Sequence, residues 1–220
     1  MLKIENDPGN NIIKGYSMLL SFAGTFVLHQ PQIGCINDLA GSDIFKQLPV
    51  QSNNPDFLRA SSYLRSLSKD SVIDYGLIMS DHKSLFGNKA SSLAPPYESV
   101  YVSNNRHLAE GQFEVTKIYE SYAWISDSAD KVQGDHIGIE LQFLILLLEK
   151  YHEIEDGICK KELTNDLIKF IEKHLDTWIY SWNQRVQINA GSDFYKGIGF
   201  LIISCIKDLS HILNTANFSS

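Results

Sequence analysis

IGIELQFLILLL, residues 137–148, is the most apolar run in the chain of 220 residues, and its reading decides the fold. It is shorter than the about 20 apolar residues that cross a bilayer, and it carries Glu140 and Gln142. The run therefore reads as the buried central helix of a globular protein, about residues 136–151, and no stable membrane insertion is expected. Upstream of it, ISDSADKVQGD (125–135) is small and polar, a loop by composition. Downstream there is no proline, since all six fall at or before Pro96. Two more long helices are expected there, about 163–187 with Leu167, Phe170, Ile171, Leu175, Trp178, Trp182 and Val186 at helical spacing, and about 193–213, capped by Ser192 or Asp193.

The first half reads as helices broken by prolines. Ile12, Ile13, Tyr16, Leu19, Leu20, Ala23, Phe26 and Val27 predict an opening helix of about 17 residues that Pro31 terminates. Asn54, Pro55 and Asp56 supply a cap, a proline at the first helical position and an acid in the first turn, for a helix burying Phe57, Leu58, Leu64 and Leu67. A third helix runs from about Ser71 to Phe86. Leu108, Phe113, Val115, Ile118, Tyr119 and Tyr122 predict an amphipathic helix up to about Trp124. No segment alternates at period two. The expected fold class is all-α, a single-domain helical bundle over residues 1–220 with two prominent loops, 87–106 and 125–135.

Composition narrows the partners. A 44% apolar content can fill a core, and a formal charge of −7, from 26 acids against 19 lysines and arginines, repels phosphate backbones and anionic membranes. Nucleic acid is not expected as a partner; a basic peptide is. Cys35, Cys159 and Cys205 are odd in number and widely spaced, which fits free thiols in a reducing cytoplasm. Residues 5–8, Glu-Asn-Asp-Pro, stand where a secretion signal needs its apolar run.

Few residues invite catalysis. His136 and Glu140 form an i, i+4 pair of potential ligands, but a metal needs more protein ligands and no second pair supplies them. The glycines of KGIG (196–199) fall inside a predicted helix, where close packing explains them better than a phosphate cradle. No nucleophile lies in a recognisable motif, so no catalytic residue, metal or cofactor is expected. Asp135 has the position of an N-cap for the central helix, and the same residue can anchor the 125–135 loop and leave His136 and Glu140 facing a groove.

APPYESVY (94–101) is the remaining anomaly. Pro95 and Pro96 force Ala94 to Tyr97 into a stiff, extended connector, which lowers the entropy lost on binding a partner. Tyr97 and Tyr101 offer amphipathic rings, and Glu98 and Ser99 an acceptor and a hydroxyl. A plain interhelical loop with its tyrosines turned inward accounts for the composition equally well.

Leu85-Phe86 followed by APPYESVY, then DHIGIELQFL (135–144), then SDFYKGIGFL (192–201), resembles the TorD/DmsD/NarJ family of redox-enzyme maturation chaperones in order and spacing. The resemblance implies a cytoplasmic, all-α, non-enzymatic protein that binds the twin-arginine signal peptide of a molybdopterin oxidoreductase precursor, of the DMSO or TMAO reductase type, until its cofactor is inserted. It implies a peptide-binding region at Pro95, Pro96, Tyr97, Glu98, Ser99, Asp135 and His136. This sequence departs from the family's frequent proline before Asp-His, having Gln133 and Gly134, and a more flexible loop is expected there.

A receptor for a twin-arginine leader needs carboxylates beside an apolar groove. Glu98, Asp135 and Glu140 are the expected carboxylates, with Tyr97, Tyr101, Trp124 and the exposed rim of Phe143 or Ile137 as the apolar side. Asp135→Ala and His136→Ala are then expected to weaken binding with little loss of melting temperature. The alternatives are a NarJ-like factor acting on the enzyme's cofactor-free body and, further off, a small nucleotide-binding protein. A monomer and a helix-exchanged homodimer both fit the long proline-free helices.

Overall fold

The computed structural model describes residues 8–42, 44–67, 72–102 and 108–218. It is all-α, with ten α-helices among the described residues: α1 (Pro8–Leu28), α2 (Ile33–Gly41), α3 (Pro55–Arg65), α4 (Tyr75–Phe86), α5 (Glu98–Tyr101), α6 (Leu108–Ser121), α7 (Ile137–Glu153), α8 (Gly157–Phe170), α9 (Ile179–Asn189) and α10 (Asp193–Phe218). A 3₁₀ turn occupies Ile44–Lys46. No strand forms among the described residues; Tyr97 and His136 make one isolated antiparallel bridge.

α7 is the central helix that its apolar run predicts. Ile137, Ile139, Leu141, Phe143, Leu144, Leu147 and Leu148 are all buried. α1 packs along it with Ile13, Tyr16, Leu19, Leu20, Ala23, Phe26 and Val27 buried, and Ile12 left exposed. α1 ends three residues before Pro31. α10 packs on α1, α3, α8 and α9, and one continuous core joins these layers. Stretches of α1 and α10 are long and apolar enough by composition to cross a membrane, yet half or more of each is buried within the protein.

Local chemistry explains the helix starts. The Asn54 side chain accepts from Asp56 N–H at 3.0 Å, with Pro55 at the first helical position, as the sequence predicts. Leu58 is 57% exposed rather than buried, because the inward face of α3 runs through Phe57, Ala60, Ser61 and Leu64. Asp74 caps α4 through Leu77 N–H, so that helix begins at Tyr75; Ser71, where the sequence starts it, lies outside the described residues. Ser192 Oγ accepts from Tyr195 N–H at the start of α10. The Asp81 carboxylate accepts the N–H groups of Gly191 and Ser192 at 3.1 and 2.7 Å and so fixes the entry to that helix. The KGIG glycines do serve close packing. A Cβ at Gly197 would stand 2.9 Å from Leu64 of α3, and one at Gly199 2.2 Å from Asn183 of α9.

The long helix expected over 163–187 is also corrected. The stretch predicted as a single helix over 163–187 is α8, a π-helical turn at Ile171–Leu175, a bend, and α9. Asp176 N–H reaches back five residues to Ile171 C=O at 2.8 Å, and Trp178 takes φ −142°, ψ −24°. All seven apolar residues of that prediction are nonetheless buried. Burying Trp178 and Trp182, each contributing on the order of 2–3 kcal/mol, outweighs the loss of regular hydrogen bonding at the bend. The side chains of Leu108 and Phe113, named for α6, lie outside the described residues.

Candidate functional site

The stiff Pro-Pro connector and the start of α7 are joined. Leu93 and Ala94 N–H bond back to Ser84 and Leu85 C=O at the end of α4, which lays Ala94, Pro95 and Pro96 into the interior. Proline offers no N–H, so the exchange with residues 135–137 uses the groups that remain. Ile137 N–H donates to Pro96 C=O at 2.9 Å, and Glu98 N–H donates to Asp135 C=O at 2.9 Å.

The first bond satisfies one of the orphan donors at the start of α7; His136 satisfies the next, its Nδ1 accepting from Gly138 N–H at 3.0 Å. His136 is therefore the N-cap of α7, and the assignment of that cap to Asp135 is corrected. Asp135 caps a different helix. Its Oδ2 accepts Ser99 N–H of α5 at 3.1 Å, where the α5 N-cap residue Tyr97 has no side-chain bond of its own to offer.

Behind this clamp lies a buried polar cluster. Glu98, Asp135, His136, Glu140 and His174 are each at most 6% exposed. Glu98 Oε2 meets His174 Nδ1 at 3.2 Å. The π-helical turn delivers His174 to it, and the Trp178 indole N–H donates to His174 C=O. Burial pushes the Glu98 carboxyl above its usual range against the lowering influence of His174. Glu140 is pushed well above by burial and then by the neighbouring Glu98 and Asp135 carboxyls, so it is held as a neutral acid. Burial lowers the His136 imidazole to about 3, with the charges of His29, His82 and Lys89 adding to the effect, which keeps it neutral and able to accept at its cap.

In front of the clamp is an open groove of about 660 Å³ between the end of α6, the 122–136 loop and the connector. Tyr119, Trp124, Ile125 and Val132 give it an apolar side, and Glu120 and Asp130 give it carboxylates. The loop is pinned at both ends. Tyr119 OH donates to Gly134 C=O at 3.0 Å, and Ser126 Oγ donates to Gln142 Oε1 at 2.7 Å. Trp124 lies edge-on to Tyr119, with ring centroids 5.0 Å apart, and against Phe143 at 5.4 Å.

Of the sequence-predicted site residues, Tyr97 and Trp124 line the groove. Pro95, Pro96, Glu98, Ser99, Asp135 and His136 come together one layer behind it, as the clamp. Glu140 lies deeper, fully buried. Tyr101 faces elsewhere, stacked on Trp178 at 5.4 Å with the Arg185 guanidinium 4.9 Å above its ring. The exposed rim expected of Phe143 or Ile137 is corrected, since both are fully buried; Phe143 is the hub of a cluster with Tyr119, Tyr122, Trp124 and Phe170. Sequence reading passed over Lys89, Glu120, Ile125, Asp130 and Val132. Ile125 and Val132 carried a signal, as apolar side chains in a segment otherwise made of small polar residues.

The nitrate reductase delta subunit family matches residues 62–184, from late in α3 into α9, which takes in the connector, the loop and the start of α7. Chaperone protein TorD of Vibrio vulnificus strain YJ016 is 25% identical over 143 residues, 62% of this chain and 64% of that protein. The TorD of strain CMCP6 shows the same identity and coverage. The chain thus spans a little under two thirds of the length of these curated relatives. With more than half of its residues inside the matched region and the all-α fold in place, the chain belongs to the nitrate reductase delta subunit family, the group that includes TorD and NarJ.

Proposed function

We propose that this protein is a cytoplasmic, non-enzymatic chaperone for the maturation of a molybdenum-containing oxidoreductase. It binds the twin-arginine leader of the precursor and withholds it from export until the cofactor is in place. The observation that carries this reading is the groove. Its volume lies within the about 300–1,000 Å³ common for ligand sites, its apolar side suits the greasy stretch of a leader, and Glu120 and Asp130 stand where guanidinium groups pair. The net charge of −7 speeds encounter with a basic peptide, more at low salt than at high.

Calorimetry with a peptide carrying two consecutive arginines followed by an apolar stretch tests it. Saturable 1:1 binding that weakens when both arginines become glutamine supports the reading, and no binding at low salt rejects it. A second reading, an assembly factor for the cofactor-free enzyme body, is favoured by the family's description as a nitrate reductase subunit. Titration with the leaderless apoenzyme separates the two.

A further inference from the structure

The groove already holds a cation of the protein's own. Lys89, on the loop between α4 and the connector, donates from Nζ to Ser99 Oγ at 3.0 Å and to Gln133 Oε1. The same ammonium sits 4.3 Å from the centre of the Tyr97 ring and 4.0 Å from Asp135 Oδ2. Ser99, Tyr97 and Asp135 come from both halves of the clamp and Gln133 from the loop beside it, and the four make one cage. We propose that this cage is a guanidinium subsite and that Lys89 is its internal occupant, which an arginine of the bound ligand displaces. The inference rests on the peptide-binding reading above and names the place where one ligand arginine goes.

Three features of the cage favour exchange. Its distance to Asp135 Oδ2 is that of an ion pair rather than a hydrogen bond, and Asp135 Oδ1 has no hydrogen-bond partner among the described residues although Asp135 is fully buried. A compact ammonium thus leaves acceptor capacity unused that a five-donor guanidinium can fill. The aromatic face favours the same exchange, because a planar guanidinium stacks on a tyrosine ring while an ammonium touches it at one point. Finally, the Lys89 side chain is 34% exposed, so the position it fills is reachable from the groove, and the flexible four-carbon stem can swing out to solvent.

The test is calorimetry of the full chain with the twin-arginine peptide. Lys89→Met keeps the stem and removes the charge, and tightens binding about fivefold if the competitor's contacts are of ordinary cation–π and surface ion-pair strength. The gain disappears for the peptide with both arginines changed to glutamine. Lys131→Met makes the same charge change in the same groove outside the cage and gives a smaller gain. Lys89→Arg, which holds the cage more firmly, weakens binding. Equal gains from Lys89→Met and Lys131→Met, or no gain from Lys89→Met, overturn the proposal. If the peptide binds neither wild type nor variants, the chaperone reading fails, and a second arm still decides the subsite. Arginine amide shifts the Tyr97 ring signals of Lys89→Met, and not of wild type, if the cage is a guanidinium site; no shift in either overturns it. Should Lys89→Met lose its fold, the Lys89→Arg result decides, since unchanged or tighter binding by that variant contradicts competition.

Discussion

The clamp of residues 95–99 and 135–138 and the groove lining from Tyr119 to Gly134 lie side by side and are built on opposite principles. In the clamp and the cluster behind it, polar groups are buried and most are committed to partners inside the protein, with Asp135 Oδ1 and the Glu140 carboxyl left over among the described residues. Asp135 caps α5, His136 caps α7, Glu98 is paired with His174, and Glu140 is held neutral. In the lining, Ile125 is 81% exposed and Glu120 and Asp130 remain open to solvent. The residues that form the most recognisable motif thus hold the wall in place, while the exposed apolar and acidic side chains of the groove belong to less distinctive neighbours. Buried polar groups must find partners inside the protein, and exposed ones keep their capacity for something else.

The sharpest way to break this comparison is Asp135→Ala. Leaving Ser99 N–H buried without an acceptor costs about 2–3 kcal/mol, several degrees in a chain of this size. This replaces the sequence-based expectation of little thermal loss for Asp135→Ala and His136→Ala. A melting temperature within about 1 °C of wild type in scanning calorimetry contradicts the capping role.

Next in size are two opposed pH effects in the wall. The folded-state pKa of Glu140 is raised, so below the ordinary carboxylate range it has no effect on stability. Above that range the unfolded chain ionises it while the folded protein does not, and stability falls by about 1.4 kcal/mol per pH unit until the folded pKa is reached. Glu140→Gln removes that loss, so its advantage over wild type grows as pH rises in urea titrations; an advantage independent of pH counts against a neutral buried acid. His136 works the other way. With its folded pKa near 3, stability is intact above about pH 6.5 and is lost as pH falls toward 3 at a similar slope. Between the carboxylate range and about pH 6.5 the two slopes offset each other.

The groove lining gives smaller effects, on binding rather than on stability. Ile125→Asp is expected to weaken the twin-arginine peptide about tenfold with the melting temperature unchanged, because the side chain is exposed and its apolar contact is made only with the ligand. Asp130→Asn is expected to weaken it about two- to threefold and to flatten the salt dependence, as an exposed charge does. Unchanged affinity in both variants moves the ligand out of this groove.

Much of the fold was legible because it depends on local rules. The period of the apolar residues marked α1 and α6, the continuous apolar run marked α7, the Ser192 or Asp193 cap in a proline-free half marked α10, and the Asn54-Pro55-Asp56 start of α3 is local capping chemistry. The bend after Leu175 was not legible, since 163–187 contains neither proline nor glycine and its apolar spacing continues across the break. α2 and the one-turn α5 are too short for periodicity to show.

At the site, the sequence by itself determined that two unusual segments, APPYES and Asp135-His136, differ in kind from the helices around them. It also determined the acidic balance and the apolar centre of the bundle. Only the tertiary structure decided that the two segments meet, that Asp135 caps α5 rather than its own helix, and that the carboxylates facing the groove are Glu120 and Asp130. The reason is physical. A side chain's burial and its hydrogen-bond partner depend on what the chain brings to it from far away, here 36 residues between Ser99 and Asp135 and 76 between Glu98 and His174, and no local pattern carries that information.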